Sequence, residues 1–421
     1  MTSYEKFLSR AGDVMRESAI RRMGTVLAAG ADDMVSFAPG YPAEDTFAWA
    51  AFAEIASELL TGAEGKALQY GPTRGHRPLL DVLTGMMASR GIRAATDQIV
   101  VTTGSQQGLD LLARVLCDPG DVVLMELPSY VGAITAFRNV GTSLVGVRQD
   151  PDGINLQDLA DTMTRLRRDG RRVKALYLVP NFQNPTGLLM SLEKRRLVLE
   201  WASREDVLII EDDPYRDLFF PDCTTEAETR PLSADDADGR VIYLSSFSKI
   251  LAPGFRIGWM SAPAAIASKI EMAKQAEDLC SGSLDQRLVY EACKRGVLER
   301  QLPMLRAHYQ HKRDVMVQAV ERELHGLMRW PAPRGGFFLW AHLDVPVDSE
   351  TLLRHAQALG VIFVTGSAFF VDGSGSEHIR LSFSAPPPAR IELGVKRLAA
   401  AVSAALQARP KEVPAAAGPA R

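Results

Sequence analysis

The chain has 421 residues, and its 48 Lys plus Arg nearly cancel 51 Asp plus Glu, so no strong field favours nucleic acid or an anionic membrane. Hydrophobic residues make up 46% of it, which suits a large core spread over about two to three domains. The four cysteines, Cys117, Cys223, Cys280 and Cys293, show no paired spacing, which argues against a disulfide framework or a thiolate zinc site and fits a reducing cytoplasm.

The opening, Met1-Thr-Ser-Tyr-Glu-Lys6, lacks the basic patch and apolar run of a secretory signal, and no uncharged stretch approaches the length of a bilayer span. Apolar positions at helical spacing run from about 5 to 29, and Val35-Ser-Phe-Ala-Pro-Gly-Tyr-Pro42 then breaks the pattern. Residues 1–46 read as an arm leading into an extended crossing. Helices are predicted around 47–60 and 76–90, on either side of the polar loop Leu68-Gln-Tyr-Gly-Pro-Thr-Arg-Gly75.

From about 97, short apolar runs at 99–102, 122–125, 143–147, 173–179, 207–210 and 241–244 alternate with amphipathic stretches at 107–116, 156–168 and 192–204. Strand, helix, strand at this spacing predicts crossover units, hence an α/β domain (47–300) with a mostly parallel central sheet flanked by helices. After about 300 the character changes to a helix at 302–324, a strand at 336–340, a helix at 349–359, a strand at 379–383 and a closing helix to about 407. This predicts a smaller α+β domain over 301–408, followed by a Pro-rich, disordered tail at 409–421.

Several polar clusters fall just past predicted strand ends, where sites gather in parallel sheets. Val241-Ile-Tyr-Leu-Ser-Ser-Phe-Ser-Lys249 empties an apolar run into hydroxyls and a lysine, and Arg256 follows a Pro-Gly turn. Ser246, Ser248 and Arg256 could ring one anion, with Lys249 kept from bulk water. Gly104-Ser-Gln-Gln-Gly108 lies between a predicted strand and a predicted helix, where free amides and the helix dipole favour a phosphate. Asn184-Pro-Thr-Gly187 and Glu211-Asp-Asp-Pro-Tyr215 would each pass as a simple turn. His308 and His311 sit three apart, but no carboxylate motif joins them, so no metal site is expected.

Taken together and in order, these clusters resemble the fold type I pyridoxal-phosphate aminotransferases over about 18–400. Within that family the chain is most similar to the 2-aminoadipate and kynurenine type, through Ser18-Ala-Ile-Arg21, Gly104-Ser-Gln-Gln-Gly108, Pro128-Ser-Tyr-Val-Gly-Ala133, Phe182-Gln-Asn-Pro-Thr-Gly187 and Ser246-Phe-Ser-Lys249. The resemblance implies pyridoxal 5'-phosphate as cofactor, Lys249 as Schiff-base lysine and proton shuttle, and Asp212 as partner of the ring nitrogen, with Asp213 a poorer match. It assigns Asn184 and Tyr215 to the ring oxygen and Tyr130 to the ring face. Ser105, Gln106, Ser246, Ser248 and Arg256 fall to the phosphate, with Tyr70 reaching it from the second subunit of a homodimer. Arg380 would clamp the substrate carboxylate beside Asn184 and the Gly40 backbone, and Arg21 would bear on substrate choice.

The resemblance further implies two half-reactions with 2-oxoglutarate as acceptor and a 2-aminoadipate, kynurenine, aromatic or branched-chain donor. Two departures touch the pocket: Pro39-Gly-Tyr-Pro42 replaces the usual Gly-Gly segment, and His76 stands where relatives often carry tyrosine or another residue. The same cofactor and fold also run lyases and decarboxylases, but a carboxylate held in plane by Arg380 favours breaking C–H. A transcription regulator with an aminotransferase-like sensor domain would need a helix-turn-helix module ahead of the short stretch before Pro39.

Overall fold

The structure, a computed structural model, describes residues 4–15, 33–62 and 66–408; Arg21 and the 409–421 tail lie outside the described residues. A short helix α1 (Arg10–Val14), capped by the Ser9 hydroxyl, precedes the crossing strand β1 (Val35–Ser36) and the helices α2 (Trp49–Thr61) and α3 (Arg77–Ser89).

The main sheet has eight strands: β2 (Ile99–Thr103), β3 (Val122–Leu127), β4 (Ser143–Asp150), β5 (Gly153–Ile154), β6 (Val173–Leu178), β7 (Leu208–Asp212), β8 (Val241–Ser246) and β9 (Ile257–Ser261). Their spatial order is β2-β9-β8-β7-β6-β3-β4-β5. The pairs from β8 to β4 are parallel as expected, and β9 runs antiparallel between β8 and β2. Strand parity sorts the core. Val123, Met125, Ala175, Tyr177, Ile210, Ile242 and Leu244 pack against α4 (Gly104–Leu116), α5 (Val131–Asn139) and α8 (Ala264–Glu277). The alternate residues Val122, Leu124, Leu176, Leu178, Ile209 and Val241 pack against α6 (Leu156–Arg168) and α7 (Leu192–Glu205). With both faces covered, these strands read in the sequence as continuous apolar runs.

The chain then folds through α9 (Ser283–Lys294) into α10 (Val297–Leu324). This helix starts before the predicted 302 and carries Pro303 inside it. An interior proline costs about 3 kcal/mol, and burying a side chain such as Val or Leu returns roughly 1.5–3 kcal/mol. Val297 and Leu298, 5% and 4% exposed, therefore offset the proline. A four-stranded antiparallel sheet follows, ordered β10 (Met328–Arg329), β11 (Phe338–Leu343), β14 (His378–Ser382) and β13 (Val364–Thr365), and packed with α11 (Ser349–Ala358) and α12 (Pro388–Gln407). The crossing stretch is stitched into this part: β1 pairs with β12 (Val361–Ile362), Phe37 donates its N–H to Ile362 O at 2.8 Å, and Phe37 O accepts from Ser382 N at 2.8 Å. Those bonds bring Ala38 and Gly40 to the buried Arg380 of β14 and to the carboxyl edge of the main sheet.

Candidate active site

β7 and β8 end side by side, with Asp212 paired to Leu244. Asp212 shares the parity of Ile210 and faces the α4–α5 side, as does Ser246 after Leu244. Asp213 has the opposite parity and is absorbed by structure, accepting from Asn181 Nδ2 at 2.9 Å and Tyr243 Oη at 3.0 Å. Asp212 Oδ2 accepts from Tyr177 Oη at 2.8 Å, while Oδ1 is buried without a partner. Burial, with the Asp213 charge behind it, pushes the Asp212 carboxyl up to about 7 against the Tyr177 bond and the Lys249 charge. Tyr177 lies in the apolar half of its strand, in register with Ile210, and nothing in the sequence marks it as more than core.

Lys249 ends the short helical turn that follows β8, and its Nζ donates to Gly40 O at 2.8 Å. Burial pushes this amine down to about 8, helped by the Arg380 and Arg256 charges and opposed by Asp212. An amine in that range is about one-fifth neutral at physiological pH, far more than an ordinary lysine, and so more readily nucleophilic.

On the far side, α4 begins at Gly104, three residues before the predicted start. Gly104 has φ +74°, and a Cβ there would sit 2.5 Å from Arg256 Nη2. The guanidinium thus lies directly against the first turn of the helix, beside Ser105 and Gln106. Arg256 itself takes a left-handed φ of 53°. Ser246 and Ser248, both buried, share a hydroxyl bond at 2.8 Å, and the Ser246 hydroxyl also caps the Ser248 amide. Gln106 Nε2 donates to Gly132 O at 3.0 Å and its Oε1 accepts from Tyr130 Oη at 3.4 Å, joining the α4 start to the Tyr130 loop.

Arg380 is fully buried, with its guanidinium carbon 4.3 Å from the Phe338 ring centroid and 5.0 Å from that of Phe369. Its Nη1 donates to Asn184 Oδ1 at 2.7 Å and its Nη2 to Ala38 O, while Nε has no partner. No carboxylate among the described residues pairs with it, and burial pulls its pKa down to about 10. A buried cation of this kind is costly until an anion reaches it. The Arg380 bond also fixes the Asn184 amide, leaving Nδ2 as its donor. Tyr215 packs edge-on to Phe337 and Phe338.

The profile of Aminotransferase class I and II matches residues 32–398. The chain belongs to that family. It is 38% identical to aromatic-amino-acid aminotransferase 1 of Thermococcus litoralis, covering 94% of each chain, and 38% identical to 2-aminoadipate transaminase of Thermus thermophilus, covering 89% of this chain and 91% of the other. Its fold matches Pyrococcus horikoshii kynurenine aminotransferase, solved with PMP and kynurenine, at TM-score 0.90 and 37% identity over 96% of this chain and 98% of that one.

This aminotransferase uses pyridoxal phosphate, and the pocket suits that group. The unpartnered Asp212 Oδ1 answers a protonated ring nitrogen, and a buried, partly neutral lysine answers an aldehyde. The cup of Ser246, Ser248, Arg256 and the α4 start answers a phosphate. Tyr70 stands apart, 78% exposed, with its backbone N–H on Gln69 Oε1 and its side chain hydrogen-bonded to none of these groups. Glu126, which carries no mark in the sequence, and Gln183, visible there only as part of the Phe182–Gly187 motif, link the Tyr130 and Asn184 loops. β3 runs two residues past its predicted end, and that extension is what carries Glu126 into the core.

Proposed function

We propose that this aminotransferase moves the amino group of an L-amino acid of the 2-aminoadipate, kynurenine or aromatic type to 2-oxoglutarate, with Lys249 as the covalent anchor and proton carrier. The donor class is supported by the relatives' names, and the acceptor by resemblance. When bound, pyridoxal phosphate supplies an aldehyde that condenses with amines and a ring that delocalises the electron pair left when a Cα proton departs. Asp212 Oδ1 accepts the ring N–H and keeps it protonated. Asn184 Nδ2 and the Tyr215 hydroxyl donate to the ring oxygen, and Tyr130 covers the ring face. Ser105, Gln106, Ser246, Ser248 and Arg256 bind the phosphate. Arg380 grips the substrate carboxylate through its free N–H, beside Gly40, which orients the Cα–H bond toward Lys249. The neutral Lys249 amine then takes that proton and returns it on the carbon that carries nitrogen in the product.

The observation that carries this reading is the pairing of an unpartnered buried acid oxygen with a buried lysine whose amine, on Gly40 O, is partly neutral. A homodimer follows from placing Tyr70 at the phosphate of a second copy. Leu68, Tyr70, Trp49 and Met304, each more than 60% exposed, supply apolar surface for such a contact. We assign residues 1–46 to the arm, 47–300 to the cofactor domain and 301–408 to the small domain, Arg21 to donor choice, and the enzyme to the cytoplasm. No helix among the described residues is long and apolar enough to cross a membrane.

The test is a panel of L-amino acids, each offered with 2-oxoglutarate to the purified holoenzyme, with glutamate as readout. Glutamate should form with 2-aminoadipate, kynurenine or an aromatic donor. No glutamate from any of them would overturn the donor and acceptor assignment.

A further inference from the structure

Glu126 and Gln183 are fully buried, and neither belongs to the group of side chains assigned above to cofactor or substrate. Glu126 is the penultimate residue of β3. Its Oε1 accepts from Gln149 Nε2 at 3.0 Å, and its Oε2 accepts from Val179 N and Gln183 Nε2, each at 3.0 Å. All three neighbours are N–H donors, and no cation among them balances the charge. Burial accordingly pushes this carboxyl up to about 7. A carboxamide would be cheaper to bury, but it would turn one N–H against these donors. The acid is therefore the group that satisfies this corner of the fold.

Gln183 uses its whole amide. Nε2 donates to Glu126 and also to Pro128 O at 2.9 Å, and Oε1 accepts from Thr186 Oγ1 at 2.6 Å and Thr186 N at 3.2 Å. Pro128 lies two residues before Tyr130, and Gln183 immediately precedes Asn184. One side chain thus ties together the loops that carry the ring-covering tyrosine and the ring-oxygen asparagine.

We propose that Gln183, anchored by Glu126, is a positioning residue that locks these two loops in register and aims Asn184 Nδ2 at the oxygen of the cofactor ring. The inference rests on the role given above to Asn184. It predicts that loosening Gln183 weakens a hydrogen bond to an anionic oxygen, so the oxygen's conjugate acid becomes harder to deprotonate.

The measurement is the pH midpoint of the bound cofactor's visible absorption band, taken on holoenzyme without substrate. Asn184→Ala should raise the midpoint, and Gln183→Met should raise it in the same direction by about half to one unit. Glu126→Met should give a smaller rise, because Gln183 keeps its bonds to Pro128 and Thr186. A merely structural role would lower the melting temperature of the cofactor-free protein and leave the spectral midpoint alone. If Asn184→Ala moves the midpoint while Gln183→Met stays within about 0.1 unit of the parent, the brace is overturned and the site assignment survives. If Asn184→Ala itself leaves the midpoint unchanged, the role of Asn184 fails, and the brace fails with it. Should Gln183→Met not fold, Gln183→Ser, whose vacated space water can fill, carries the same expectation and the same overturning result.

Discussion

One oxygen of Asp212 holds the Tyr177 hydroxyl, while the other is buried with no partner. The Tyr177 bond favours the ionised acid, and burial opposes it. Tyr177→Phe removes a bond to a charged acceptor worth roughly 1.5–3 kcal/mol, part of which water recovers, so turnover per bound cofactor should fall about 5- to 30-fold for every donor. Equal rates in steady-state assays of the two proteins would remove Tyr177 from the account. Asp212→Ala should lower the rate far more than it lowers cofactor occupancy, measured by absorbance against protein. A fall in occupancy at an unchanged rate per bound cofactor would mean that Asp212 only holds the ring. Lys249 gives a pH expectation. Its pKa is depressed to about 8, so the neutral amine grows about tenfold per pH unit below that value and saturates above it. The rate at which cofactor-free enzyme captures the aldehyde, followed by stopped-flow absorbance, should rise with pH and level off near 8; a flat profile from 6 to 9 would contradict the assignment. The motif prefers Asp212 to Asp213, and strand parity offers a physical reason for that preference. Tyr177 was not legible, because a tyrosine inside an apolar run reads as core until the neighbouring strand puts a carboxylate beside its hydroxyl.

Helix α4 and the crossing stretch show what elements add to residues. The sequence marks Gly104-Ser-Gln-Gln-Gly108 as a phosphate turn, but apolar periodicity starts only at Gln107, so the helix was expected to begin there. The first turn owes its form to Gly104, whose left-handed φ and contact with Arg256 leave no room for Cβ. Gly104→Ala should weaken cofactor retention by roughly 1–3 kcal/mol, read as a higher dissociation constant in equilibrium dialysis. Unchanged retention would separate α4 from the phosphate. Gly40 is a second close approach, since a Cβ there would lie 2.5 Å from Phe338 Cζ, and Phe338 stacks on Arg380. The Pro39-Gly40-Tyr41-Pro42 departure visible in the sequence thus keeps the one residue that the packing demands. The pairing of β1 with β12 and the bond from Ser382 to Phe37 could not be read from a two-residue strand without periodicity, although they place Ala38 O on Arg380.

At the scale of the molecule, the crossover spacing was enough to read a mostly parallel sheet, because strands covered on both faces announce themselves as apolar runs. The antiparallel insertion of β9 was not readable, since its run resembles the others and only pairing fixes direction. Assembly carries its own test. A Tyr70→Phe chain and a Lys249→Ala chain, each impaired alone, should recover activity after subunit exchange if Tyr70 serves the partner's site; no recovery would place Tyr70 in its own subunit. Transfer of an amino group with the proton carried by Lys249 can be checked in a single half-reaction. Purified holoenzyme mixed with a competent amino acid and no acceptor should yield one equivalent of 2-oxo acid per site, without carbon dioxide, and then stop until 2-oxoglutarate is added; Lys249→Ala should yield none on that timescale. Release of carbon dioxide, or continued 2-oxo acid formation without an acceptor, would contradict transamination as the reaction of this site.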